Sequence, residues 1–167
     1  MIKKLIVLAI LAAALRMTGI LPFQSSDVAE LVPVQALVVS MDDGRVYLDG
    51  GGCLGVGEDW DGALEDLNKS AEGHVFLSTA DHVVLCGGAV SLLQQVADSE
   101  VLRPAASVCV CPEGVIDAKT AAKYLSAHDD GIVTLQQVRA LHLRPGKVEL
   151  PRLIQTQGGL RLDAKHR

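Results

Sequence analysis

Two short stretches and four scattered thiols are the parts of this chain whose residue types could do chemistry. His128, Asp129 and Asp130 stand side by side, Asp81 precedes His82, and the thiols are Cys53, Cys86, Cys109 and Cys111. An imidazole beside a carboxylate is the raw material of general acid–base catalysis. It supports nucleophilic catalysis when a hydroxyl or thiol lies within hydrogen-bond reach. Neither histidine has such a companion beside it in the sequence. His128 falls at a helix end, where a cationic ring meets the negative end of the helix dipole, and the acids after it read as a turn. His82 enters an apolar strand and reads as a satisfied or edge histidine. An enzymatic reading therefore needs the fold to gather several of His74, Asp81, His82, His128 and Asp129 in one pocket.

The recognisable motifs fail on inspection. There is no His-Glu-x-x-His zinc helix and no Gly-x-Ser-x-Gly elbow. The glycines at 50–52, 55 and 57 are not closed by Gly-Lys-Ser/Thr, and Trp60 stands where a dinucleotide loop needs its third glycine. They read as a flexible connection before a helix. Asp66, Asn68 and Ser70 mimic the start of a calcium loop, but Ala71 and Leu77 replace its glycine and glutamate. The cysteines form an even set that permits three complete pairings. Cys109 and Cys111 share one face of a strand-like run and do not suit each other as partners, whereas Cys86 with Cys109 becomes possible if their strands are neighbours. The plainer reading is four buried thiols acting as small hydrophobes. Their spacing is not that of a zinc site. No catalytic, cofactor-binding or metal-ligating residue is assigned from the sequence.

The elements that would position these residues alternate in period. Val34 to Ser40 and Arg45 to Asp49 flank Met41-Asp42-Asp43-Gly44 and read as a hairpin. Asp59 caps a helix with Trp60, Ala63, Leu64 and Leu67 on one face. Strand-like runs follow at Val75 to Leu77 and Val83 to Cys86, with a break between them. A helix carries Ala89, Leu92, Leu93, Val96 and Ala97. Ala106 to Cys111 reads as a buried central strand. Asp117 caps a helix with Ala121, Ala122 and Leu125, and Leu135, Val138 and Leu141, extending to Leu143, mark a fourth, shorter one. Lys147 to Ile154 and Leu160 to Leu162 read as closing strands around Gly158-Gly159. Strands alternating with helices imply parallel pairs, and the leading hairpin makes the sheet mixed. The helix after Gly88 should cross the sheet to deliver the strand at Ala106. The fold class is thus α+β (mixed α/β), a mixed β-sheet with about four helices packed on it, preceded by an N-terminal apolar signal or anchor helix.

That leader is the sharpest physical signal. Lys3 and Lys4 precede an apolar run from Leu5 to Leu15; Arg16 interrupts it before Met17 to Phe23. A basic start and an apolar stretch are the layout of a secretory signal, and Ala12 and Ala14 offer a small-x-small cleavage site. Uncleaved, Leu5 to Phe23 as a helix spans roughly 28 Å, close to the hydrocarbon thickness, with the lysines cytoplasmic and the rest outside. The competing reading, a buried first helix of a cytosolic domain, requires a core helix without a polar face for three turns. The expected organisation is 1–23 signal peptide or membrane anchor, 24–32 linker, 33–163 a single mixed α/β domain, and 164–167 a charged tail. A net charge of −5, aromatics at 3% and the isolation of Trp60 argue against nucleic-acid binding.

Several stretches together resemble one family. "WDGALEDLNKS" followed by "HVFLSTADHVVLCGG" gives a helix and two strands. "LLQQVADSEVLRPAASVCVCPEG" gives a helix ending near an arginine, a small-apolar strand and an acidic-glycine turn. "TLQQVRALHLRPGKVELPRL" gives a helix, a turn and an extended run with Leu-Pro, and "VPVQALVVSMDDG" supplies a first strand and turn. Between roughly Asp27 and Leu162 the chain is similar to the N-terminal domain of the spore germination receptor C-subunits, the Ger(x)C lipoproteins, and to the start of their next domain. The resemblance implies a non-catalytic subunit outside the membrane, working beside integral-membrane germination receptor subunits in assembly or signal relay, with no cofactor. The first cysteine is Cys53, so a peptide anchor would replace the family's lipid. Two alternatives accompany this expectation: a structural or assembly protein of the spore envelope without a receptor role, and an exported enzyme with an unrecognised site.

Overall fold

The computed structural model describes residues 31–128, 132–142 and 149–163. The leader, the turn at Asp129-Asp130-Gly131, Leu143, the first residues of the closing run and the charged tail lie outside the described residues.

Nine strands and four α-helices are present among the described residues: β1 (Leu31–Pro33), β2 (Ala36–Asp42), β3 (Arg45–Asp49), β4 (Leu54–Gly57), α1 (Trp60–Ser70), β5 (His74–Phe76), β6 (His82–Gly87), α2 (Leu93–Asp98), β7 (Ser107–Cys111), α3 (Ala118–Leu125), α4 (Leu135–His142), β8 (Arg152–Thr156) and β9 (Gly159–Asp163). Seven strands form one mixed sheet in the order β4-β3-β2-β6-β7-β8-β9. Its centre, β2, β6, β7 and β8, is parallel, and antiparallel pairs close both edges. The expected crossover from β6 through α2 to a parallel β7 is present. So is the hairpin β2–β3, which turns on Asp43 (φ 47°) and Gly44 (φ 76°). Two successive left-handed residues are what a two-residue hairpin loop demands.

Alternate residues of the sheet feed two cores. On one face Leu37, Val39, Val83, Leu85 and Val108 meet α1, α2 and α4. On the other Val38, Val84, Cys109 and Leu153 meet Ala118, Ala121 and Leu125 of α3, whose alanines let the helix lie close. The chain passes between the layers beside β7, where Val108 N–H donates to Val133 O (2.8 Å) and Ser107 bridges to Thr134. Both expected caps form: Gly62 N–H donates to Asp59 Oδ1 (2.8 Å) and Thr120 N–H to Asp117 Oδ1 (2.9 Å). Asp49 extends the second cap from afar, accepting from Gly51 N (2.8 Å) and from Ala118 N at the first turn of α3 (2.9 Å). Arg139 of α4 holds the other end of α2 by donating to the carbonyls of Ala97 and Ser99.

Three expectations need correction. The stretch after Gly52 is not a loose connection: β4 pairs antiparallel with β3. Its glycines serve a close approach, because a Cβ on Gly55 would sit 2.3 Å from Ala63 O and one on Gly57 2.2 Å from Ala63 N. Helix α1 lies directly on this strand. Secondly, Leu31–Pro33, at the end of the expected linker, is a strand that pairs in parallel with β5 in a separate two-stranded sheet. The strand expected at Val75 to Leu77 is that β5, and a 3-10 turn at Leu77–Thr79 follows it. Thirdly, the helix expected from Ala89 begins as a 3-10 turn over Gly88–Leu92 and is α-helical only from Leu93.

Candidate functional site

Strands β6 and β7 begin at the same level, so His82 and Ser107 are register partners. Their side chains meet: His82 Nδ1 lies 2.7 Å from Ser107 Oγ, and the ring is 3% exposed. Ser107 Oγ also lies 3.3 Å from Asp81 O, which accepts the Ser107 N–H at 2.8 Å as well. The hydroxyl thus lies between the imidazole and a carbonyl, donating to the carbonyl and meeting Nδ1 in a sense set by the ring's tautomer. Asp81 Oδ1 pairs with Arg103 Nη2, both side chains being nearly half exposed, and Arg103 Nε is buried without a hydrogen-bond partner among the described residues. These groups line an open cleft of about 360 Å³ together with Ser126, Ile132 and Thr134.

This constellation contains what the sequence did not reveal. His82 does have a hydroxyl companion, contributed from 25 positions downstream by strand pairing. The usable signal was the common level of "DHVVLC" and "ASVCVC" once the two runs are taken as parallel neighbours. Chemically, a serine hydroxyl on an imidazole nitrogen can be deprotonated as it attacks an acyl or phosphoryl centre. It can equally be a structural clasp that satisfies a buried ring. The cleft opens at the amino ends of the parallel strands, whereas open α/β sheets hold ligands at the carboxyl ends.

The other candidates do not join it. His74 is exposed on β5. His128 follows α3, stacks on Tyr124 with ring centroids 4.4 Å apart, and places Nδ1 2.9 Å from Tyr124 O. Asp129 lies outside the described residues. Asp66, Asn68 and Ser70 belong to α1: Asp66 accepts from Val56 N (2.9 Å), Ser70 donates to Leu54 O, and Asn68 donates to Leu64 O. Among the described residues no three His, Cys, Asp or Glu side chains converge to hold a metal ion, and no helix is long and apolar enough to cross a membrane.

All four cysteines are buried free thiols. The strands are neighbours, but register sets Cys86 opposite Cys111 and Cys109 opposite Val84, so the pairing of Cys86 with Cys109 is not the one the sheet brings together. Cys86 and Cys111 share one core, and Cys111 Sγ lies 3.3 Å from Glu113 O. Burial pushes Cys86 up to about 11 and Cys109 up to about 12. Burial also raises Cys53, with the nearby Asp49 charge adding to it, and burial raises Cys111. Such thiols are protonated and unreactive near neutrality. Compared with protein-family models, curated proteins and solved structures, the chain matches none.

Proposed function

We propose that the chain is a non-catalytic, membrane-associated module on the extracytoplasmic side, related to the N-terminal domain of spore germination receptor C-subunits. Its role is assembly of a germinant receptor or relay of its signal. The observation that carries this reading is the opening segment: Lys3 and Lys4, then an apolar run from Leu5 to Leu15 and a second from Met17 to Phe23. A tether of that kind restricts the domain to the bilayer surface. It raises the effective concentration towards integral-membrane partners to the millimolar range without any new contact. The domain adds support at its edge. Strand β4 points Leu54 (64% exposed) and Val56 away from α1, offering apolar surface on an edge strand.

Fractionation of cells and spores, with N-terminal sequencing of the mature product, tests the reading. The expected result is membrane-bound protein with Met1 retained, or exported protein beginning shortly after Ala14. Full-length protein in soluble cytosol would remove its basis. Deleting the protein should then impair the germinant response. An unchanged response with altered spore assembly would favour the structural role in the spore envelope.

A second reading, an exported hydrolase, is favoured by one observation, the 2.7 Å contact between Ser107 Oγ and His82 Nδ1 at a cleft. In it Ser107 is the nucleophile and His82 the base. An organophosphorus serine probe separates the two readings. Labelling of the native chain that is lost in Ser107→Ala supports the hydrolase, and no labelling supports the non-catalytic module.

A further inference from the structure

We propose that Cys86 and Cys111 are a disulfide-forming pair, oxidised by a small-molecule disulfide as the chain folds, so that the carboxyl end of the two central strands is a redox-sensitive site. Strands β6 and β7 are parallel neighbours with Cys86 directly opposite Cys111. Adjacent strands lie about 4.7–4.9 Å apart, inside the Cα separation of roughly 4.4–6.8 Å that a disulfide accepts. Both side chains project into the same core under α3. No other pair among the four meets these conditions. Cys109 opposes Val84, which places it diagonally from Cys86 at about 7–8 Å. Cys109 and Cys111 are alternate residues of one strand, and Cys53 belongs to the core on the opposite face of the sheet.

The chemistry is two thiol–disulfide exchanges. The thiolate of one cysteine attacks the reagent disulfide R–S–S–R, forms a mixed disulfide and expels RS⁻, which takes up the proton lost. The second thiolate attacks the protein sulfur of that mixed disulfide and expels the second RS⁻. The sum is two protein thiols plus R–S–S–R giving one protein disulfide plus two R–SH. Burial makes timing part of the inference. A thiol displaced by about two pH units has about 100-fold less thiolate at a given pH, and its greater nucleophilicity recovers about tenfold. Burial raises the Cys111 thiol as well, so whichever sulfur attacks first, the native protein should oxidise more slowly than the unfolded chain. The pairing depends on strand register alone and stands whether or not the chain is a receptor module; export would supply the oxidising compartment.

The test uses the full-length chain, reduced and denatured, then refolded in a mixture of reduced and oxidised glutathione. Remaining thiols are alkylated, and the protein is digested without reduction and analysed by mass spectrometry. The expected product is one intramolecular Cys86–Cys111 link with Cys53 and Cys109 alkylated. The same link should persist in a Cys53→Ala/Cys109→Ala variant, and Cys111→Ala should leave Cys86 alkylated. Alkylation of all four cysteines in the refolded wild type would overturn the proposal, as would a Cys86–Cys109 link or an intermolecular one. Mapping of the wild type decides the matter even if a variant fails to fold.

Discussion

Removing the Ser107 hydroxyl tests what His82 needs from it. His82 is nearly inaccessible to water, and Ser107 Oγ is 2.7 Å from its Nδ1. Ser107→Ala strips that hydrogen bond from a buried nitrogen, a loss of about 1–3 kcal/mol by the usual penalty for an unsatisfied polar group. Urea unfolding should show it as a lower midpoint with an unchanged slope, and Ser107→Thr should restore most of the difference. A Ser107→Ala protein as stable as the wild type would mean the contact contributes nothing to folding, and the hydrolase reading would gain. At Asp117 the expectation is set by the cap. Hydrogen bonds from the Thr120 side chain and from Thr120 N–H hold its carboxylate below the ordinary carboxylate value. Asp117→Ala should cost about 1 kcal/mol of stability, and Asp117→Ser or Asp117→Asn clearly less.

Among the elements, β4 and α1 lie in close contact, and the glycines of β4 are what permit it. A methyl group on Gly55 would meet Ala63 O at 2.3 Å and the Leu67 backbone N at 2.6 Å, both fixed parts of α1. Gly55→Ala must lift the helix, so it should destabilise by about 1–3 kcal/mol or more, measured as a fall in denaturation midpoint. Leu54→Lys, on the open side of the same strand, should change stability by less than about 0.5 kcal/mol. A large loss there would show that the apolar edge is needed for folding and is not free for a partner. The same strand explains how far the sequence could be read. Helices α1 and α3 were legible because each has an Asp cap and an apolar face at helical spacing. The central strands were legible as apolar runs. Strand β4 was hidden because a helix resting on it requires glycine at alternate positions, which erases the hydrophobic alternation. Strands β1 and β5 are three residues each and too short to carry a period. The site is a different case. His82 with Ser107, and Cys86 with Cys111, become neighbours only through the register of β6 on β7. Local pattern does not encode which residue of one parallel strand faces which of the next.

For the molecule as a whole, groups whose pKa differs between folded and unfolded chain set the pH range over which the fold holds. On the acid side Asp117 has a lowered folded pKa. Its contribution is complete above the unfolded carboxylate value, about 3.9, and is lost as pH falls through the folded value. On the alkaline side the thiols have the opposite sign. Cys86 and Cys109 stay protonated in the fold up to about 11 and about 12, whereas an unburied thiol ionises at about 9. Their contribution is therefore complete below about pH 9 and is lost as pH rises through the folded values, each thiol removing about 1.4 kcal/mol per pH unit in between. The raised pKa of Lys69 acts in the same direction, but its pairing with Glu65 is solvent-exposed and adds little. The reduced protein should show a plateau of thermal stability from about pH 5 to 8 and a steep alkaline decline from about pH 9. Cys109→Ala should flatten that decline even while lowering the plateau, because a methyl group leaves a small void but has no proton to lose. Oxidation of Cys86 to Cys111 should flatten it too, since both titrating sulfurs of the pair disappear. A reduced wild type whose melting temperature holds level to pH 11 would contradict the burial of these thiols, and with it the close packing of α3 on the sheet.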